Sequence, residues 1–203
     1  TRKDYDVLGN LICTRVLKTP GQPNDTQDAI TLHHYDVAGN LIKTIRKGPG
    51  SASLSAIEPN DIVLEFCYDA LNRKITSIDG ERLTTTYAYD LDGRLTSTTD
   101  PNGFVTQNVY DGAGRLIKTI DAAQNYKTFT LDSLSNTVAR FTFDANSTPS
   151  AQDDFALEQS RFEYDGLSRL IRRAVMRNPL SSVSVDTEID MVEDYIYDVN
   201  TSL

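Results

Sequence analysis

From about residue 84 to residue 143 the chain alternates short β-type runs with short polar turns. The runs RLTSTT, FVTQNVY, RLIKTI, YKTFTL and TVARFTF are rich in Thr, Val, Ile, Leu and Tyr, the length and composition of strands. Several alternate in character, with Leu116, Lys118 and Ile120 on one side and Arg115, Ile117 and Thr119 on the other, the period of two expected of a pleated strand. The turns between them have their own chemistry. In Asp90-Leu91-Asp92-Gly93 the Asp can accept backbone N–H bonds, and the Gly can take the positive φ that closes a type I turn with a bulge. Asp100-Pro101-Asn102-Gly103 repeats the logic eleven residues after Tyr89, with Pro fixing φ at the second turn position. The pattern predicts an antiparallel β-meander.

The meander is a repeat. Tyr-Asp pairs open copies at Tyr5, Tyr35, Tyr68, Tyr89, Tyr110, Tyr164 and Tyr197, with a degenerate copy at Leu131-Asp132; the spacings are 30, 33, 21, 21, 21, 33 and 33. One 21-residue unit carrying insertions of 0, 9 or 12 residues accounts for all of them. Eight copies in register specify an architecture rather than an active site. The positions expected to build it are Tyr5, Asp6 and Gly9; Tyr35, Asp36 and Gly39; Tyr68 and Asp69; Tyr89, Asp90, Gly93 and Arg94; Tyr110, Asp111, Gly114 and Arg115; Tyr164, Asp165 and Arg169; and Tyr197 and Asp198. The Asp and Gly residues are assigned to the turns. Each Tyr is expected at the same height on every second strand, forming a ladder.

Residues 1–203 therefore read as a single repeat region, a fragment of a longer chain, with insertions near 18–29, 46–61, 144–158 and 178–188. All four replace the second turn of a unit, so one edge of the sheet should be uniform and the other decorated. Short helices are conceivable at 150–158, capped by Ser150, and at 51–57.

Composition narrows the function. A chain with 39% hydrophobic and 24% charged residues is globular,. A net charge of −9 repels phosphate backbones and anionic lipid, so nucleic acid is not an expected partner. No apolar run is long enough for a membrane span. Cys13 and Cys67 lie outside any CxxC pattern and read as free thiols in strands.

Candidate chemistry is sparse. His33 and His34, the only histidines, point to opposite faces of a strand and cannot chelate one metal in the usual way. The aspartates lack the calcium-loop ligand pattern, and each is explained by its turn. The basic run at 169–177 (RLIRRAVMR) is read as cross-strand pairing with acids such as Glu163. No catalytic residue, metal ligand or cofactor is expected.

The segments YDVAGNLIKTI (35–45), YDLDGRL (89–95), YDGAGRLIKTID (110–121) and YDGLSRLI (164–171) resemble the YD repeat of the Rhs family. That family includes bacterial Rhs polymorphic toxins, the B and C components of insecticidal Tc toxins, wall-associated proteins and teneurins. The resemblance covers nearly the whole chain. It implies an all-β strip spiralling into a hollow shell, which in the toxins encloses a C-terminal polypeptide and in teneurins forms an adhesion ectodomain. It implies no catalysis in the repeats: the self-cleaving aspartates of the toxins lie in a segment beyond them, and DPNG at 100–103 occupies a regular turn. Ser135, Ser168 and Asn72 replace the turn Gly, Asn10 and Asn40 replace the Arg after it, and Leu131 replaces the Tyr.

The expectation is a non-catalytic structural segment of a secreted or cell-surface bacterial shell enclosing a toxin or other polypeptide. Its partners would be the rest of its own chain and that cargo. The alternative is an extracellular adhesion module whose inserted loops bind a glycan or receptor. Exposed strand edges predict self-association of the isolated strip.

Overall fold

The computed structural model describes residues 1–18, 28–48, 50, 54–145, 158–177 and 191–196. Fifteen strands and no helix occur among the described residues. They are β1 (Arg2–Tyr5), β2 (Leu11–Val16), β3 (Ala29–Tyr35), β4 (Leu41–Arg46), β5 (Ile62–Tyr68), β6 (Lys74–Ile78), β7 (Thr84–Tyr89) and β8 (Leu95–Thr99). Then follow β9 (Val105–Tyr110), β10 (Leu116–Ile120), β11 (Tyr126–Leu131), β12 (Thr137–Phe143), β13 (Glu158–Tyr164), β14 (Leu170–Arg177) and β15 (Met191–Asp194). Strand order follows chain order, as the alternation of strands and turns requires of a meander. The helix considered at 51–57 is not formed over 54–57, which are bends and coil; residues 150–157 of the other lie outside the described set.

Two compact units divide the chain: Thr1–Gly93 with Thr98–Gly103, and Arg94–Ser97 with the chain from Phe104 onward. In the first unit β1 through β7 pair antiparallel in succession, for example Leu32↔Ile45 and Ile45↔Val63. Direct opposition places these three side chains on one face. Ile30, Ile45 and Val63 are buried there, beside the bases of the two inserted loops. In the second unit β9 through β15 pair in the same way. Tyr126, Phe141 and Phe143 pack on one face of β11 and β12, and the Tyr126 and Phe143 rings stack at 4.6 Å. On the opposite face Ser160 and Val175 face each other and are buried. Elsewhere most strand residues are half-buried, as in a sheet with little covering it.

The register repeats with the sequence. A bulge falls just before the motif position in Tyr5, Tyr35, Tyr68, Leu131 and Tyr164, which then pair with Leu11, Leu41, Lys74, Thr137 and Leu170. Tyr110 pairs with Leu116 at a bulge of the same hairpin type. The extra residue reorients the Tyr and closes the hairpin without disturbing the alternation upstream. The basic run lies on β14, but its acidic partners come chiefly from β15: Arg172 meets Asp194 at 3.5 Å and Arg173 meets Glu193 at 3.4 Å. Glu163 stands opposite Arg172 in register, and no ion pair between them is formed.

Candidate functional site

Among the described residues, each motif turn is closed by its own Asp. Asp6 Oδ1 accepts the N–H groups of Leu8 and Asn10 at 2.9 and 2.8 Å, and its carbonyl accepts the Gly9 N–H at 3.1 Å. Asp36, Asp69, Asp111, Asp132 and Asp165 make the same bonds. The fourth turn residue sits at positive φ, from +81° to +86° at Gly9, Gly39, Gly93 and Gly114. Asn72, Ser135 and Ser168 take φ of 60°, 68° and 59° at the equivalent position, so side-chain-bearing residues accept a strained conformation to keep the turn. The hydrogen bonds hold these carboxyls below the usual carboxylate range. At Asp6, Asp36 and Asp132 the leading donor is the Asn side chain four residues on; at Asp69, Asp111 and Asp165 it is the Arg backbone N–H.

The residue after the positive-φ position couples one turn to the next. Arg73, Arg115 and Arg169 each donate Nε–H to the Asp of their own turn at 2.6–2.7 Å. Arg73 Nη1 also reaches the carbonyl of Asp90 at 2.9 Å and Arg115 Nη1 that of Asp132 at 2.9 Å, in both cases the Asp of the following turn. The Arg73 guanidinium lies 4.8 Å from the Tyr89 ring centre and that of Arg94 5.3 Å from Tyr110, a cation–π approach. At two copies where Asn stands in place of Arg, it finds the non-Gly turn residue of the next copy: Asn40 Nδ2 donates to Asn72 Oδ1 at 2.8 Å and Asn136 Nδ2 to Ser168 Oγ at 3.1 Å; the copy after Asn10 has Gly39 at that position. At these two junctions the two kinds of departure meet in space, whereas Ser135 follows a copy that keeps its Arg, Arg115.

The tyrosines complete the junction. Tyr35, Tyr68, Tyr89, Tyr110 and Tyr164 donate their hydroxyls to the carbonyls of Leu11, Leu41, Lys74, Leu95 and Thr137 at 2.8–3.1 Å. Each acceptor is the residue six after the preceding motif position. The ladder runs through hydroxyl–carbonyl bonds and Arg–ring contacts rather than through ring on ring. The physical reason is spacing: motif positions two strands apart are ~9.5 Å from one another, beyond aromatic stacking distance. Burial, with the preceding Asp36 or Asp132 carboxylate, pushes the phenols of Tyr68 and Tyr164 up, which keeps the donated proton in place. Tyr197 and Asp198 lie outside the described residues.

On the opposite edge the short connections, Asp79–Leu83, Asp100–Phe104 and Asp121–Asn125, reuse the Asp turn. DPNG is one of them, with Gly103 N–H on the Asp100 carbonyl at 3.0 Å. Arg82 and Gln124 hold positive φ of 65° and 66° there; nothing in their residue type announces it. The longer insertions are clasped at their bases. Lys47 Nζ donates to Asp61 Oδ2 at 2.5 Å and to the Ala56 carbonyl at 2.8 Å. Asp61 also accepts Gly48 N–H and Glu58 N–H, both at 2.9 Å. The two side chains are 2% and 0% exposed, so the pair is a desolvated ion pair with its lone pairs satisfied. A Cβ on Gly48 would stand 2.2 Å from the Asn60 carbonyl oxygen, which restricts the position to Gly. Asp28 does the same work for the preceding insertion, accepting Lys18 N–H at 2.9 Å with Arg15 at 3.9 Å. Asp28 and Asp61 each stand seven residues before the next motif Tyr, a regularity only visible once the clasp is known.

The second unit has a cleft of about 320 Å³ lined by Thr106, Thr119, Asp121, Asn125, Tyr126 and Phe143 among others. The Tyr126 ring is already engaged, by Phe143 and by Lys118 Nζ at 4.0 Å from its centre. His33 Nδ1 lies 3.3 Å from Thr44 Oγ1, and burial, then the neighbouring His34, lower its basicity. Neither Cys13 nor Cys67 is in a disulfide. Among the described residues no three His, Cys, Asp or Glu side chains gather as a metal site, and no helix is long and apolar enough to cross a membrane.

The RHS Repeat family model matches residues 68–106. No curated protein matches in sequence. Among solved structures, the crystal structure of TcdB2-TccC3-TEV superposes with a TM-score of 0.54 at 12% identity over 85% of this chain. TcdB2-TccC3 gives 0.53 at 16% identity over 94%, and TcdB2-TccC3 without its hypervariable C-terminal region 0.53 at 17% over 94%. At such identities the likeness is one of fold. The chain spans 10–12% of the length of those chains.

Proposed function

We propose that this chain, whose residues 68–106 match the RHS Repeat family model, belongs to the Rhs/YD-repeat family and is one stretch of wall in a secreted bacterial Rhs-type shell that encloses a C-terminal toxin or other polypeptide. The role is structural, not catalytic. One observation carries the reading: hairpin after hairpin is joined by the same bonds, Tyr hydroxyl to the preceding hairpin's carbonyl and Arg to the following turn's Asp. A junction that recurs from copy to copy, with Asn40 and Asn136 substituting for Arg, can lengthen a sheet indefinitely, which is what a wall needs and an active site does not. Within the full-length protein the 203 residues would form one uninterrupted repeat region.

The test is native size-exclusion chromatography of the full-length protein followed by denaturing intact-mass analysis of the same peak. A single native species that releases a cleaved C-terminal polypeptide only on denaturation is expected. A cleaved fragment that leaves the native particle without denaturant would contradict enclosure.

The clasped insertions favour a second reading, an extracellular adhesion module. Loops held at their base by Lys47–Asp61 and by Asp28 are presented on a rigid edge, the usual setting for binding,. Its ligand would be a cell-surface glycan or receptor. Cell binding by the full-length protein that persists after both loops are shortened to four-residue Asp turns would eliminate it.

A further inference from the structure

One asparagine stands apart in how its side chain is held. Asn10, Asn40, Asn125 and Asn136 donate Nδ2 to the Asp of their own turn at 2.9–3.0 Å. Asn108 donates to the Leu95 carbonyl at 3.0 Å, and Asn72 accepts from Asn40 at 2.8 Å. All of these precede a residue with a side chain. Asn102 is the reverse on both counts. Its backbone N–H rests on Asp100 Oδ1 at 2.9 Å, but its side-chain amide has no hydrogen-bond partner among the described residues. It also forms the only Asn-Gly step in the sequence. Asn60, whose amide is likewise free among the described residues, precedes the buried and clasped Asp61.

We propose that Asn102 is a site of spontaneous deamidation through a succinimide formed with Gly103, a covalent change that opens the turn at 100–103. The Gly103 backbone nitrogen, its proton taken by hydroxide, attacks Cγ of Asn102 and closes the succinimide ring. The Cγ–Nδ2 bond breaks, and Nδ2 takes a proton from water and leaves as ammonia. Water then opens the ring at either carbonyl. Breaking the bond just formed gives aspartate; breaking the original peptide bond gives isoaspartate, in which the chain runs through Cβ and Cγ. The turn permits the attack. Gly103 has no Cβ to shield its nitrogen, and the space a Cβ would fill holds no atom within 4 Å. Its N–H is held by one hydrogen bond to the Asp100 carbonyl at 3.0 Å, at an exposed tip of the kind that opens locally without unfolding the sheet. Folding therefore slows the reaction at Asn102 without blocking it. At the tied asparagines the amide must first leave its partner, and the nitrogen it would meet is shielded by a side chain. The isoaspartate product carries an extra backbone carbon before Gly103, which takes the N–H off the Asp100 carbonyl, so the turn loses the bond that closes it. This chemistry belongs to the turn and is independent of the shell reading.

Storage of the 203-residue chain at mildly alkaline pH, followed by tandem mass spectrometry of its tryptic peptides, tests it. Residues 95–115 form one peptide that holds both Asn102 and Asn108, a free amide and a tied one. Asn102 is expected to gain the mass of OH over NH2 and to split into aspartate and isoaspartate peaks, with Asn108 unchanged and the rate rising in proportion to hydroxide. The chain unfolded in urea should convert faster at Asn102, and Asn102→Gln should keep its mass, since Gln would have to close a larger ring. Asn102→Asp carries the new charge without the extra carbon, so the isoaspartate form should unfold at a lower urea concentration than this variant. A folded chain that leaves Asn102 intact while the unfolded chain converts it overturns the proposal, as does conversion of Asn108 at an equal rate. An isoaspartate form as stable as Asn102→Asp would show that the turn stays closed, and overturns it too.

Discussion

Leu131 is the one described motif position without a hydroxyl, and restoring it predicts a gain that the rest of the chain allows to be worked out. In Leu131→Tyr the new phenol should meet the Leu116 carbonyl, six residues after Tyr110, as Tyr110 meets Leu95 at 2.9 Å and Tyr164 meets Thr137 at 3.0 Å. The backbone is already in place, because Leu131 pairs with Thr137 after the same bulge found at Tyr35, Tyr68 and Tyr164. Arg115 is in place too, its Nη1 on the Asp132 carbonyl at 2.9 Å, as Arg73 is on Asp90 beneath Tyr89. A hydrogen bond contributes about 0.5–1.5 kcal/mol and a part-exposed cation–π contact about 0.5–1 kcal/mol. Against this stands the loss of Leu packing at a half-buried site, so a net stabilisation of about 1–2 kcal/mol is expected. For a chain of this size that is a rise in Tm of roughly 2–8 °C. Urea unfolding followed by circular dichroism measures it, with Leu131→Phe as the control that adds the ring without the hydroxyl. Tyr89→Phe should lose about 1 kcal/mol in the same assay. If Leu131→Tyr is no more stable than Leu131→Phe, while Tyr89→Phe costs nothing, the hydroxyl–carbonyl junction is not what joins the hairpins.

Three further predictions follow from the turns and the clasp. Asp61→Ala strands Lys47 in a buried site and should destabilise by about 3–5 kcal/mol, whereas the paired Lys47→Met/Asp61→Leu should recover much of that loss in the same urea titration. Six turn carboxyls, Asp6, Asp36, Asp69, Asp111, Asp132 and Asp165, have folded pKa values below their ordinary one of 3.8. Their stabilisation is therefore complete above about pH 5 and is lost as the pH falls through roughly 4 and below; thermal unfolding from pH 6 to pH 2.5 should show it, and Asp111→Asn should make the acid-side slope shallower. Ser135, at φ 68°, should gain up to about 1 kcal/mol on replacement by Gly, because relief of left-handed strain outweighs the added chain entropy; an unchanged or lowered midpoint in urea would contradict this.

The sequence by itself determined the architecture. A 21-residue period with Asp and a Gly-type residue at fixed offsets is enough to specify a hairpin, because turn chemistry is local: a carboxylate two to four residues from the N–H groups it accepts, and one residue at positive φ. The period-two alternation then fixes strand faces, and the run of copies fixes a meander. Ser135, Ser168 and Asn72 were legible as strained turn residues for the same local reason. Arg82 and Gln124 were not, since the fold around them imposes a φ their residue types do not favour. Only the tertiary structure decided what crosses from copy to copy. That Asn40 answers Asn72, that Arg73 reaches Asp90, and that each Tyr seeks a carbonyl in the preceding hairpin are facts of strands lying ~4.8 Å apart, not of neighbours along the chain. The Lys47–Asp61 clasp is of this kind as well: fourteen residues separate the pair in sequence, and burial at the base of a loop, invisible to composition, is what turns an ordinary Lys and Asp into a structural bond.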